Sequence, residues 1–370
     1  MAKRTPGEGT VWQDKKGLWR GELTIGYDAD GKRRKKSFSS RDRETLLKKM
    51  NDEKHNLNRN IVTVSGDYTV AEWIRFWLEN YKSGVVKSKT YDSYEYSLDR
   101  HIKNAIGNIK LNKIRTEPIQ QLYNDMRKRN LSTTTIRITH VTLPQAFDQA
   151  IRNQLIHTNP CKATVRPKSE KRKTAALTSE QQDAFVRHCS EGSTFHKLFV
   201  FLLHTGVRVG EAKALVWDDV DFSDKTVSVN KTASTVINRD EDAETKTKVV
   251  IGSAKTKYGD RTVPMNMTVE RLLAGMDKGD NPFVFSLQAK TMLADRNILR
   301  SFKGLLKKAG LPDSVRVHDL RHTFATRLLE KNVNPKIVSE LLGHASVQVT
   351  LDIYSHVMPN VKSDAIYLLD

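Results

Sequence analysis

The sequence predicts a multidomain protein, mainly α with small β-sheets. Three observations carry that prediction. The chain has 370 residues, and at about 150 residues per domain this allows two or three hydrophobic cores. An early stretch alternates apolar and polar side chains, the period of a half-buried strand. From residue 69 onward apolar residues recur mostly at helical spacing, with strand-like patterns only between 226 and 264.

Composition narrows the class of partner. Hydrophobic residues make up 38% and charged residues 28%, which excludes a wholly disordered chain. Lysine and arginine number 62 against 43 acidic residues, a formal charge of +19. Such an excess calls for a polyanion, nucleic acid before an acidic membrane surface. The opening MAKRTPGEG lacks the apolar core of a signal peptide. The apolar run Leu198–Leu203 is far too short to span a bilayer. Two cysteines, Cys161 and Cys189, supply neither a disulfide framework nor a four-cysteine zinc site. The expectation is a cytoplasmic protein with no membrane partner.

Residues 1–60 read as a three-stranded sheet plus one helix. Strands are expected at Thr10–Gln13, at Gly17–Tyr27 and at Lys32–Phe38, with turn chemistry in Asp28-Ala29-Asp30-Gly31. Ser40 is the expected cap of a helix over 41–59. The run Lys32-Arg33-Arg34-Lys35-Lys36 puts five cations side by side. It serves either as a solvated edge that blocks aggregation or as a ribbon that fits a DNA major groove. The second use makes Trp19, Arg20, Arg33, Arg34 and Lys35 candidate DNA contacts.

A linker around Ser65-Gly66-Asp67 leads into a helical domain over 66–160. Val70, Trp73, Ile74, Trp77 and Leu78 fall on one helical face. A second helix follows Ser88-Lys89-Thr90, with Tyr91, Tyr94 and Leu98 inward. A loop is expected at Asn104–Lys110, then helices over Glu117–Arg129 and Ser132–Gln154. The aromatic residues at this spacing read as core. Lys87, Lys89, Thr133, Thr134 and Arg137 sit at helix starts or on polar faces, where phosphate contacts form readily.

Residues 161–176 form a basic interdomain linker that includes Arg172 and Lys173. It acts as a passive tether or lets two modules close around a duplex. The segment 177–354 opens with the cap Thr178-Ser179-Glu180 and mixes helices with strands at Thr226–Asn230, Val249–Gly252 and Arg261–Pro264. The tail, 355–370, carries a small apolar patch of Ala365, Ile366, Leu368 and Leu369 that docks on its own domain or elsewhere.

Chemistry concentrates in four segments. They are Thr205-Gly206-Val207-Arg208-Val209-Gly210-Glu211, Ala254-Lys255-Thr256-Lys257-Tyr258-Gly259-Asp260-Arg261, His318-Asp319-Leu320-Arg321-His322, and Leu341-Leu342-Gly343-His344 followed by Tyr354. A phosphodiester under attack gathers negative charge on its non-bridging oxygens, and a guanidinium offers it a fixed, always-charged fork of donors. Arg208 and Arg321 are the candidate forks. Arg208 precedes a helical run, a natural anion position, and Glu211 either pairs with it or orients it. His318 and Arg321 share a helical face. His318 and His322 also have the spacing of a zinc pair, but Arg321 between them opposes a dication, and no metal is expected. Tyr354 taken alone reads as a core tyrosine. As a nucleophile it needs a base or a cationic pocket, because a free phenol has a pKa near ~10. A hairpin of Val249–Gly252 and Arg261–Pro264 would carry the lysines on its turn.

In this order and spacing the four segments resemble the tyrosine recombinase (phage integrase) family. The resemblance implies an α+β tyrosine recombinase catalytic domain at 177–354, a helical core-binding domain at 66–160 and an arm-type DNA-binding domain at 1–60. It implies a site-specific recombinase, the integrase of a phage or an integrative/conjugative element, working through a 3′-phosphotyrosyl intermediate without ATP, metal or other cofactor. Tyr354 would be the nucleophile and Lys255 the general acid, with Lys257 the alternative register. His318 would be the base or a hydrogen-bonding partner, Arg208 and Arg321 the clamp, and His344 a phosphate ligand. Implied partners are double-stranded DNA with core-type and arm-type attachment sites, a homotetramer linked by the tail, an excision factor and a DNA-bending host protein, in a bacterial cytoplasm at the nucleoid. A type IB-like topoisomerase and a non-catalytic DNA-binding regulator of the same fold are the alternatives.

Overall fold

The computed structural model describes residues 9–27, 33–58, 68–166, 176–240, 242–253, 259–287 and 291–357. The chain divides into two compact units, 1–170 and 171–370. It is mainly α with small antiparallel sheets, as its sequence predicts.

The first unit opens with β1 (Thr10–Gln13), β2 (Trp19–Tyr27) and β3 (Arg33–Ser40), ordered β1-β2-β3. Helix α1 (Arg43–Asn58) packs on them through Leu46 and Met50 against Leu23, Val11, Trp19 and Phe38. Gly21 leaves room for the Met50 thioether, which a Cβ there would displace. The helix start differs from the expectation. Ser40 is the last residue of β3, and Asp42 caps instead, its carboxylate accepting the Thr45 N–H at 2.7 Å. The expected turn at 28–31 lies outside the described residues.

A second core in this unit is helical. Helices α2 (Val70–Trp77) and α3 (Ser88–Ser97) each run on into a π turn. Then come α4 (Lys103–Ile106), α5 (Thr116–Lys128) and α6 (Thr133–Arg152). The loop expected from Asn104 therefore starts later, since α4 continues through Ile106. Thr69 and Glu72 close a capping box on α2. The face that Val70, Trp73, Ile74 and Trp77 present is fully buried, and the Trp73 indole donates to the Ala146 carbonyl at 2.8 Å.

The second unit is built around α8 (Thr194–Thr205), buried all round from Leu198 to Leu203, which explains its unbroken apolar run. Phe199 meets Phe302 of α11 (Asp295–Lys308) edge-on at 5.2 Å, and Phe185 of α7 (Ser179–Arg187) joins them. Short α9 (Val209–Lys213) is tied to α11 by the wholly buried Lys213, whose ammonium pairs with Asp295. The remaining helices are α10 (Met267–Ala274), α12 (Val317–Glu330), α13 (Pro335–Leu342) and α14 (Gln348–Val357).

Two small sheets flank these helices. One orders β4 (Val220–Asp221), β5 (Thr226–Val229) and β8 (Arg261–Pro264); the other pairs β6 (Lys231–Ile237) with β7 (Thr247–Ser253). This corrects the expected hairpin. Val249–Gly252 lies in β7 and pairs with β6, whereas Arg261–Pro264 pairs with β5. The segment 254–260 therefore joins two sheets. The β-branched run Lys231–Ile237 pairs with β7 along its whole length, Ile237 opposite Thr247 and Lys231 opposite Ser253. Among the described residues no helix is long and apolar enough to cross a membrane.

Replacing Trp73 by Phe leaves the Ala146 carbonyl without its indole donor while keeping most of the buried ring. We expect a loss of about 1–3 kcal/mol, read as a lower urea midpoint for the first unit.

Candidate active site

The site grows from two helix ends. Helix α8 stops at Gly206, whose φ of 65° is a left-handed cap. A Cβ there would run into Phe324 and approach Leu342 at 2.8 Å, so only glycine fits. The turn leaves the Gly206 carbonyl free to accept from Arg321 Nη1 at 2.8 Å. Helix α13 stops the same way at Gly343, also at φ 65°, with the His344 N–H donating back to the Ser339 carbonyl at 3.0 Å.

The last carbonyls of a helix have no partner within it. Here three successive ones are taken by three guanidiniums. Arg261 Nε donates to Leu341 O at 2.7 Å, Arg321 Nη2 to Leu342 O at 2.7 Å, and Arg208 Nη2 to Gly343 O at 3.2 Å. The negative end of the α13 dipole favours this gathering of cations. Among the described residues Glu211, buried on α9, is the one carboxylate bonded among them. It accepts the Arg208 N–H at 3.0 Å and Arg208 Nη1 at 2.7 Å, and Arg261 Nη2 at 2.9 Å. Burial alone would raise its pKa; the Arg261 guanidinium, then Arg208, outweigh that and hold it below the usual glutamate value.

Three positive forks against one carboxylate leave a positive field. Arg321, only 4% exposed, is lowered to about 9 by burial first and then by Arg208 and Arg261, and stays charged at pH 7. His318, in the first turn of α12, is lowered to about 4 by burial, His322, Arg321 and Arg208. His344 is lowered to about 4 by burial and then by Arg321 and Arg208. Both imidazoles are therefore neutral at pH 7. Nδ1 of His344 is 2.9 Å from the hydroxyl of the buried Thr350 on α14. Arg208 keeps 40% of its side chain exposed, the most accessible of the three arginines.

Arg208, Glu211, His318, Arg321 and His344 are thus brought together. Residue 354 belongs to α14, one turn beyond Thr350, and its side chain lies outside the described residues. Lys255, Lys257, Arg172 and Lys173 also lie outside them. Among the described residues no group of three or more His, Cys, Asp or Glu could hold a metal ion, and the His318 and His322 rings meet edge-on at 5.0 Å. Arg261 and Thr350 were not singled out by sequence. Arg261 closes a quoted segment, yet only its fold-level neighbours reveal its place.

The candidate DNA contacts of the first unit are scattered. Arg20 pairs with Asp14 at 2.9 Å and Lys35 with Glu22 at 3.1 Å, so part of the cationic strand is neutralised within the sheet. Trp19 packs into the small core, with Arg43 over its ring at 5.7 Å. Arg33 and Arg34 are in β3, and their side chains lie outside the described residues. Lys87 caps α3, and it is exposed along with Lys89, Thr134 and Arg137, whereas Thr133 is half-buried.

This combination defines an α+β protein in which three guanidiniums gather on the carbonyls at the end of one helix. The chain belongs to the phage integrase family, whose profile matches residues 175–360. The profile of the phage integrase N-terminal SAM-like domain matches residues 69–127. A tyrosine recombinase XerC-like protein of Caldanaerobacter subterraneus subsp. tengcongensis is 29% identical, over 100% of this chain and 99% of its own. The ICEBs1 integrase of Bacillus subtilis is 24% identical over 77% of this chain and 78% of its own. Among solved structures, the Tn1549 transposon integrase in complex with a circular intermediate DNA superposes with a TM-score of 0.67 at 23% identity, over 81% of this chain and 99% of that one. A lambda integrase dimer bound to a core site gives a TM-score of 0.60 at 19% identity, over 95% and 96%.

The depressed histidines give a pH dependence. Their folded values, about 4, lie below the ordinary 6.5, so the unfolded chain takes up protons first as pH falls. Stability is full above about pH 6.5 and declines toward pH 4. Urea midpoints across that window should fall, and the double substitution His318→Gln, His344→Gln should flatten the fall.

Proposed function

We propose that the chain is a site-specific DNA recombinase, the integrase of a phage or an integrative/conjugative element. The observation that carries this reading is the meeting of Arg208 and Arg321 with two neutral imidazoles at the end of α13. Membership of the phage integrase family supports it, as do relatives named integrase or tyrosine recombinase.

The scissile phosphate sits against the Arg208 fork, with Arg321 behind it. The Tyr354 oxygen attacks phosphorus, and its proton passes to His318, which the positive field keeps neutral. The bond from phosphorus to the 5′-oxygen breaks, and Lys255 protonates that oxygen as it leaves. His344 donates to a non-bridging oxygen while Thr350 holds its other side. The product is a 3′-phosphotyrosyl ester that conserves the phosphodiester energy, so a 5′-hydroxyl from a second duplex can displace the tyrosine and exchange strands. Nothing in this sequence of steps calls for a metal or a nucleotide cofactor.

The helical domain and the second unit hold a core-type site, and the N-terminal sheet holds an arm-type site through Trp19, Arg20, Arg33, Arg34 and Lys35. Lys87, Lys89, Thr133, Thr134, Arg137, Arg172 and Lys173 contact the duplex backbone. The working assembly is a homotetramer on DNA, with the tail docked on a neighbouring copy. An excision factor and a DNA-bending host protein assist it in the cytoplasm of a bacterium. The lambda integrase has been solved as a tetramer bound to a Holliday junction, which supports that assembly.

On a nicked suicide duplex the unsubstituted chain should form a covalent adduct. Tyr354→Phe should form none while binding DNA normally. Arg208→Ala and Arg321→Ala should each slow cleavage by about 100- to 1,000-fold. An adduct that persists in Tyr354→Phe removes that residue from the role.

A further inference from the structure

We propose that Arg261 is a positioning residue for strand cleavage, locking Glu211, and through it the Arg208 fork, against the end of α13. The inference rests on the reading that Arg208 binds the scissile phosphate.

Arg261 opens β8, opposite Val229 of β5, and only 7% of its side chain is exposed. Every nitrogen of its guanidinium is engaged by the protein. Nε donates to Leu341 O at 2.7 Å, Nη1 to Gly259 O at 3.3 Å and Nη2 to Glu211 Oε2 at 2.9 Å. A group so occupied and so buried cannot reach a substrate, whereas Arg208, though its Nη1 and Nη2 are also bonded, keeps 40% of its side chain exposed.

Its effect passes through Glu211. Oε2 is shared between Arg261 Nη2 and the Arg208 N–H, while Oε1 takes Arg208 Nη1. The carboxylate is therefore held from two sides. Remove Arg261, and the buried charge of Glu211 has one counterion left. It turns fully onto Arg208, which withdraws the fork from the phosphate and neutralises it. The Leu341 carbonyl loses its donor in the same step, two residues before Gly343, whose carbonyl anchors Arg208. Lysine is no substitute: a point charge on a flexible stem cannot span a carboxylate and two carbonyls at once.

The role predicts a dependence on phosphate charge that a merely structural role lacks. In a methylphosphonate linkage a methyl group replaces one non-bridging oxygen, so the linkage is neutral and gains little from a charged fork. The test compares single-turnover cleavage of phosphodiester and methylphosphonate suicide duplexes by the full chain, by Arg261→Gln and by Arg261→Lys. On phosphodiester DNA we expect both variants to cleave about 10- to 100-fold more slowly, with DNA affinity unchanged. On methylphosphonate DNA the loss should shrink to about threefold or less. Equal losses on the two substrates, or no loss on either, overturn the proposal. So does loss of native circular dichroism in both variants, since Arg261 would then be holding the fold. Failure of the unsubstituted chain to form any adduct is a different result, which refutes the recombinase reading itself and this inference with it.

Discussion

Three guanidiniums sharing the end of one helix is the constraint on which the rest of the second unit depends. Like charges brought together away from water repel strongly. They stay together here because α13 offers three carbonyls in succession and because Glu211 is buried between two of them. Neither compensation suffices alone. The carbonyls carry only partial charge, and one carboxylate leaves a net charge of two in the cluster. On the proposed function, the remaining imbalance is what the scissile phosphate relieves. Stability has been set aside at one place to make binding favourable there.

The surrounding fold can be read as the means of bringing distant segments to that helix end. Arg208 comes from the turn after α8, Arg261 from a strand, Arg321 from the second turn of α12 and His344 from just past the Gly343 cap of α13. Each is fixed by something rigid. The buried α8 sets the Gly206 turn, Lys213 ties α9 to α11, and β8 is clamped by its register with β5. Left-handed glycines close both α8 and α13, and each leaves a carbonyl facing an arginine. A helix that ended with any other residue would frustrate the same bonds, because a Cβ at position 206 has no room beside Phe324.

Much of this was legible in the sequence, and the parts that were not share a cause. Helices with a strong apolar period, such as the one bearing Trp73 and Trp77, are local statements and were readable. Arg208, Glu211, His318 and Arg321 were readable from the chemistry of their short segments, and His344 through the family resemblance. The partner of β7 was misread because strand pairing is a long-range choice. Two β-branched runs competed for Val249–Gly252, and nothing local ranks them. Asp42 displaced Ser40 as a cap because β3 extends two residues further than alternation suggests. Arg261 looked like an ordinary strand residue. Its meaning lies in Glu211 and Leu341, fifty and eighty positions away, a relation with no periodic trace.

The two neutral imidazoles follow from the same crowding. Burial and the arginines together push protons off His318 and His344. A phosphate entering the Arg208 fork adds negative charge to that environment and so raises the proton affinity of both rings. If His318 is the base of the proposed reaction, it is a poor proton acceptor before a phosphate enters and a better one afterwards. That ordering would matter chemically, because a phenol near pKa ~10 needs a base or a cationic pocket to react, and here the two would act together. The arginine cluster thus does two things at once. On the proposed function it supplies charge to the transition state, and it keeps the proposed base His318 neutral until a phosphate is present.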